Sequence, residues 1–443
     1  VFFCQTVKIV SNIFCGEKFI FIGIKLSLMK HFYKHIFFVI FSFVAIVAHA
    51  QNQNLRDLAI KYIQSGDNQL HMGNVDRSLV EYRQAIETDP SFAESYMKRA
   101  RVYSMMGRTQ AALDDYNTAI SLSPHSAIFY DERARARVLL TDYIGAKSDI
   151  TTALQLEPLN KCFIESNADI KSSANDHSGA ISDINTLINA APNDVSLLLK
   201  KAMVELKAKD FDAAIQHADE VLAKKPRSIF AINIKALALS ERGDNDAALA
   251  LLSQATIDFP EVDVNFINRS LVLRRMGNSE DALTDLNRAI KLNTTCSHAF
   301  LNRAILRKRA GDAAGAERDF SKVLSIDSTY SGAMFGRGIT NNMLGNYTEA
   351  SNDFKKAIEK DPSDVRSIIA LANIKILYGY YSDAIADYNR VLVITPNNSS
   401  ALFNRGIARV LQNNNAGGCE DLRASAGMGV AQAQEFLQEF CVQ

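Results

Sequence analysis

The chain has 443 residues, with 49 basic and 49 acidic side chains and a formal net charge of zero. That balance excludes a nonspecific nucleic-acid binder, which needs a basic surface to displace counterions. The length would hold three ordinary domains, but no low-complexity stretch or long charge run marks a linker between them.

Residues 1–28 do not share the pattern of the rest and carry Cys4 and Cys15 in an apolar context. Met29 opens a stretch with the three parts of a secretory signal peptide. Lys30, His31, Lys34 and His35 form a basic end, Ile36 to Val47 an apolar run interrupted only by Ser42, and Ala48-His49-Ala50 an A-x-A cleavage site. The run is too short for an ordinary transmembrane helix. The expectation is a start at Met29, a signal peptide over 29–50, and a mature chain from Gln51. That chain is exported to the periplasm or secreted and has no integral span. Residues 1–28 are then sequence upstream of the true start, or disordered. An uncleaved N-terminal anchor is the alternative. No cysteine follows the cleavage site, which argues against a lipoprotein.

After a short lead-in over 51–58, a 34-residue pattern recurs from Ala59 to residue 429, with Ala93 to Ser126 as its template. Number each repeat 1 to 34. Position 8 is Gly, Ala or Ser in all eleven repeats, from Gly66 and Ala100 to Gly406, and so is position 20, from Ser78 and Ala112 to Gly418. All eight prolines fall at position 32: Pro90, Pro124, Pro158, Pro192, Pro226, Pro260, Pro362 and Pro396. Proline cannot continue a helix and biases the residue before it away from helical geometry, so each one ends a helix. Position 15 is Gly at 73, 107, 243, 277, 311, 345 and 379, and Asn at 175 and 413. Those residue types accept the left-handed conformation that closes a helix.

Between the breaks the apolar spacing is helical. Tyr96, Ala100 and Tyr103 share one face of a first helix; Ala112, Tyr116 and Ala119 share one face of a second. Small residues at 8 and 20 allow close approach, and position 24 (Tyr82, Tyr116, Phe320, Phe354, Tyr388) fills the space beside them. Repeats four to six, about 161–262, fit least well: position 27 holds Leu187 and Val221, and Ser172, Ser173 and Asn175 end one first helix. They are expected to be the softest segment. Arg at position 7 (99, 133, 269, 303, 337, 405) accompanies Asp at position 23 (115, 149, 285, 319, 353, 421) of the same repeat. An ion pair between the two helices is expected, structural rather than catalytic.

The pattern resembles the tetratricopeptide repeat: period 34, a small residue at 8, Ala at 20, an aromatic at 24 and Pro at 32. The chain departs from it in lacking Trp at position 4, where Tyr62, Tyr96, Tyr130, Phe266 and Phe300 stand, and in placing Arg at position 7. The resemblance implies an all-α fold, a right-handed α-solenoid superhelix of helix-turn-helix repeats whose core lies between neighbours. Past the turn Ala426-Gly427-Met428-Gly429, residues 430–443 read as a C-terminal capping helix. Cys419 and Cys441 lie symmetrically about that turn, so an antiparallel pair brings them side by side. In an oxidising compartment a disulfide is expected; two free buried thiols are the alternative. Cys162 and Cys296 are expected to be unpaired.

No motif carries catalysis. His71, His125, His177, His217 and His298 are isolated, and HExxH, CxxC, GxSxG and Walker patterns are absent. No enzyme, metal or cofactor is expected. The resemblance implies instead a groove lined by positions 2, 5, 9, 12 and 13. In repeats seven to eleven these give an apolar strip of Ile267, Leu271, Leu301, Ile305, Phe335, Ile339, Ile369, Phe403 and Ile407, with a basic patch of Arg274, Arg275, Lys308 and Arg309. Repeats three and four add acidic Asp131, Glu165 and Asp169, with Arg101 and Arg135 as basic neighbours. The strip fits an extended or helical peptide bearing acidic groups. Equally, curvature could bury positions 5 and 9 as core. The lysine–asparagine clamp of chaperone-binding relatives is not found. The expected function is an exported, non-catalytic scaffold for envelope proteins or peptides. The alternative is a self-associating component of an envelope or secretion assembly.

Overall fold

The computed structural model describes residues 52–441; the signal-peptide segment 29–50 and everything before it lie outside the described residues. Every regular element among the described residues is an α-helix, and no strand occurs. The architecture is an all-α solenoid. A helix over 52–71 comes first, so positions 1–13 of repeat one continue a helix begun in the lead-in. Thereafter the first helix of a repeat occupies positions 1–13, as in Ala93–Met105 and Ser297–Arg309, and the second occupies 17–30, as in Thr109–Leu122 and Ala313–Ile326. The last second helix, Asn415–Gly427, is followed by Ala431–Phe440.

The turn between the helices has one backbone solution throughout. Position 15 has positive φ in every repeat: glycine in seven, and Thr141, Asn175, Lys209 and Asn413 in the rest. Thr141, at φ 59, is the costly one. A left-handed conformation costs an L-residue about 1–2 kcal/mol, and branching at Cβ worsens it. At position 16, Asp142, Asp210, Asn278, Asp312 and Asn414 each accept a hydrogen bond from the backbone N–H three residues on. These caps satisfy donors that a helix start leaves open.

Size complementarity holds each pair together. A Cβ on Gly338 would stand 2.6 Å from Phe354 Cε1, and one on Gly66 2.6 Å from Tyr82 Cε1. Position 8 is small because the ring at position 24 lies against its backbone. Tyr82, Tyr116, Phe320, Phe354 and Tyr388 are fully buried, each side chain contributing about 2–3 kcal/mol relative to exposure. The core continues into the next repeat: Tyr116 packs in one cluster with Phe129 and Ala136.

The chain divides into two compact bodies, one ending at Asp183 and the other beginning at Ile184. Within each, first helices of successive repeats touch, as Ala93–Met105 does Ala127–Leu139 and Val195–Lys207 does Ile229–Arg242. Second helices meet less. The closer spacing puts the first helices on the inner side of each body.

Candidate peptide-binding surface

The apolar strip of the C-terminal body is mostly engaged in packing. Ile267 is buried in a cluster with Leu273, Leu286 and Leu306. Leu301 and Ile305 lie half-buried against Phe300 and Phe320. Phe335 and Ile339 pack on Phe354 and Leu371, and the Arg366 guanidinium covers the Phe335 ring at 4.9 Å. Ile369 packs on the cluster holding Tyr388. Phe403 meets Phe436 of Ala431–Phe440 edge-on, with ring centres 5.6 Å apart. Leu271 and Ile407 are half-buried.

The basic patch is less satisfied. Arg275 donates to Ser240 Oγ at 2.8 Å and pairs with Glu241 at 2.5 Å. Among the described residues, Arg274, Lys308 and Arg309 have no hydrogen bond or ion pair from their side chains. Burial, then the charges of Arg309 and Arg275, push the half-buried Arg274 guanidinium below its ordinary pKa.

The N-terminal body uses the same face differently. Lys98 pairs with Asp67 at 2.8 Å, Arg101 with Glu132 at 2.5 Å, and Arg135 donates to Ser166 Oγ at 2.6 Å, each partner 31 residues away. Tyr82 and Tyr116 donate to Asp67 and Glu132 from below. Burial opposes ionisation of Asp67, but the hydrogen bonds of Lys98 and Tyr82 hold its carboxyl below the usual value. Asp131 is fully buried: Oδ2 accepts from Arg135 at 3.0 Å, while Oδ1 accepts nothing, and burial pushes the carboxyl up. Glu165 and Asp169 lie on the first helix of repeat four, Lys161–Ser173.

All six expected pairs between positions 7 and 23 form, at 2.6–2.7 Å. Asp149, Asp319 and Asp421 each accept a second arginine from position 11, namely Arg137, Arg307 and Arg409, at 2.9 Å. Repeat five reverses the polarity: buried Glu205 at position 11 meets His217 at position 23, with 2.8 Å between Oε2 and Nδ1. Burial comes first in raising the Glu205 carboxyl, against the pull of His217. The 12-residue spacing was readable, and it was missed because the charges are exchanged.

Cys419 and Cys441 are disulfide-bonded, Cα atoms 5.8 Å apart, tying Ala431–Phe440 to the helix before it. Cys162 and Cys296 are free. No group of three His, Cys, Asp or Glu among the described residues is placed to hold a metal ion. A polar cleft of about 660 Å³ opens between the second helices of repeats eight and nine, lined by Glu317, Arg318, Glu349 and Lys356 over Arg337 and Asp353. Its charges are mixed, so it favours no ligand charge. Sequence reasoning also missed an apolar edge at positions 13 and 14. There Met105, Leu139 and Leu140 of the N-terminal body and Met343, Leu344, Leu377, Tyr378 and Leu411 of the C-terminal body are 42–65 % exposed. The signal was two consecutive large residues just before the turn residue, as in Met343-Leu344 and Leu377-Tyr378.

This surface belongs to a helical-repeat protein with an inner face formed by its first helices. Residues 81–114, 167–229 and 267–331 match models of the tetratricopeptide repeat. The chain is a tetratricopeptide repeat protein. Proteins of this family bind protein or peptide partners and are in general non-catalytic scaffolds. No curated protein matches the chain in sequence. Solved structures similar to it include a tetratricopeptide repeat protein from Parabacteroides merdae, 22% identical, covering 55% of this chain and 97% of that one at a TM-score of 0.41. Another is YrrB, described as a TPR protein with an unusual peptide-binding site, at 16% identity, 42% and 97% coverage and a TM-score of 0.38. Yeast Tom70 is 13% identical over 87% of this chain and 96% of its own, at 0.42. At such scores these likenesses carry no functional argument. No helix among the described residues is long and apolar enough to cross a membrane.

Proposed function

We propose that the protein is an exported, non-catalytic scaffold that holds protein or peptide segments on the inner face of its C-terminal body. One observation carries the reading. That face keeps half-buried apolar side chains, Leu271 and Ile305 among them, beside cations without partners, whereas the N-terminal body pairs most of its inner-face charges internally. A preformed repeat surface orders a flexible segment at little further entropic cost to itself. The basic end, apolar run and A-x-A site of residues 29–50 support export.

Two measurements test it. A random peptide display library is panned on the purified protein and on a Leu271→Glu, Ile305→Glu variant of equal helicity. Enriched peptides should bind the variant at least tenfold more weakly; equal binding would remove the inner face from the account. Mass spectrometry of protein from the cell envelope should find an N-terminus at Gln51, and peptides from 30–50 in the mature chain would contradict cleavage.

A further inference from the structure

The polar cleft between the second helices of repeats eight and nine is bordered, at Leu344 and Asn346, by the turn of repeat nine. Its volume of about 660 Å³ falls among those of small-molecule sites, about 300–1,000 Å³. The cations Arg318 and Lys356 match the anions Glu317 and Glu349, and Arg337 pairs with Asp353 at 2.6 Å. Among the described residues the side chains of Arg318, Glu349, Asn352 and Lys356 make no hydrogen bond or ion pair. One recess thus holds open donors and open acceptors without a net charge.

A row of tyrosine rings starts at its rim. Tyr347 follows Asn346 and is half-buried against the cluster of Phe354 and Leu371. Its ring meets Tyr378 edge-on at 6.3 Å, and Tyr378 lies beside Tyr380 at 6.4 Å with the ring planes 32° apart. Tyr378 is 54 % exposed and Tyr380 61 %. No other ring–ring contact among the described residues has both partners exposed. Apolar side chains at the turns are common to both bodies; touching exposed tyrosines are not.

Around these rings the turns form hydrogen bonds but hold no cation. Residues 343–350, 377–384 and 411–418 contain no Lys or Arg, whereas the same positions of repeats five to eight carry at least one in every repeat. Repeats three and four also lack cations there, but between them they hold only one tyrosine, Tyr143. Gln412 donates to Ser382 Oγ at 2.6 Å, joining the turn of repeat eleven to the second helix of repeat ten. The Gln412 carbonyl and the Ser382 proton stay open. The hydroxyls of Tyr378, Tyr380 and Tyr381 have no hydrogen-bond partner among the described residues.

An aromatic face is negative and attracts a weakly positive C–H surface. Open amides and hydroxyls suit groups that both donate and accept, as hydroxyls do. An apolar segment laid over them would strand them without water, and a charged ligand gains little from a recess of balanced charge. A sugar ring meets both demands, with an apolar C–H face and a rim of hydroxyls. We propose that this surface of repeats eight to ten binds a neutral oligosaccharide. One sugar unit stacks on Tyr378 and Tyr380. The chain continues past Tyr347 and Asn346 into the cleft, where Glu349, Asn352 and Lys356 exchange hydrogen bonds with its hydroxyls. The site lies on turns and second helices, apart from the inner face of the first helices, and gives the scaffold a second kind of ligand.

The test uses the full chain on a panel of immobilised linear hexasaccharides. Neutral members are polymers of glucose, galactose, mannose and N-acetylglucosamine; an oligogalacturonate and an oligoglucosamine supply negative and positive charge. At least one neutral member should bind tenfold more tightly than either charged one, with little dependence on salt. Its binding should fall tenfold or more in Tyr378→Ala, Tyr380→Ala protein, and separately in Glu349→Ala, Asn352→Ala protein, at unchanged helicity. Tyr378→Phe, Tyr380→Phe protein keeps the stacking faces and should lose less than the alanine pair. The Leu271→Glu, Ile305→Glu variant should bind the sugar as wild type does. Failure of every neutral member to bind would overturn the inference, and so would equal binding of a charged one. Indifference to the alanine pair at the tyrosines or to the pair in the cleft would do the same. None of these outcomes touches the inner-face reading, which the peptide library tests by itself.

Discussion

Repeat two hands Arg101 to Glu132 of repeat three across 31 residues. The same step in the C-terminal body leads from Leu271 to Asn302 and from Ile305 to Gly336. Backbone, helix pairing and register are shared, yet one inner face pairs its charges from repeat to repeat, whereas the other holds half-buried apolar groups at those positions and has Arg274, Lys308 and Arg309 unpaired among the described residues. A ladder such as Lys98–Asp67 and Arg101–Glu132 fixes one repeat against the next but offers little to a partner, which would have to break pairs already made. The lesson is that the repeat dictates where side chains stand, while a few positions per repeat decide whether a stretch is used for cohesion or for recognition.

The largest expected effect tests what the bodies share. Asp149→Ala and Asp319→Ala each remove the buried carboxylate that two arginines share, and each should destabilise its own body by about 3 kcal/mol. Denaturant midpoints read by hydrogen exchange in each body would check this. A cost in only one body would show that the ion pairs are not equivalent.

Next comes the contrast itself. Glu132→Gln should cost the N-terminal body about 1–2 kcal/mol, because it removes the charge that pairs with Arg101 and turns one of the two oxygens that accept from Arg101 and Tyr116 into a donor. Lys308→Gln should leave the C-terminal body within about 0.5 kcal/mol, since that side chain is unpartnered. Equal losses would erase the distinction between the faces.

Acidity sharpens the same comparison. Burial raises the Asp131 carboxyl, so the folded N-terminal body binds this proton more tightly than the unfolded chain. That contribution is fully present below the unfolded pKa and is lost as pH rises through the raised folded value. Asp131→Asn should remove it, making this body more stable than wild type at pH 7 and less pH-dependent. Thermal midpoints between pH 4 and 7 would show it, and parallel curves for the two proteins would contradict it. The smallest effect is Thr141→Gly, which should stabilise by about 0.5–1 kcal/mol by removing a β-branched residue from positive φ.

Much of this was legible in the sequence because its causes are local. Small residues, proline and glycine at fixed positions determine the helix pair, and Arg99 and Asp115 read as partners because a single repeat holds both. Thr141 and Lys209 were harder to place: nothing in their chemistry favours the left-handed turn, and they adopt it because the flanking helices impose it. The second arginine on Asp319, the Glu205–His217 reversal and the 31-residue ladder depend on how side chains converge across helices and repeats. A one-dimensional pattern does not carry that register. The exposure of Leu377 and Tyr378, beside the burial of Ile267, was hidden for the same reason. Adjacent positions on one helix differ in what the next repeat covers.

The most direct test of the central claim is hydrogen–deuterium exchange on the full chain with and without a peptide selected from the display library. The account predicts added protection along the first helices of repeats seven to eleven, residues 263–411, with the first helices of repeats one to three unchanged. Protection confined to residues 59–183 would contradict it, because the face with paired charges would then be the one that binds.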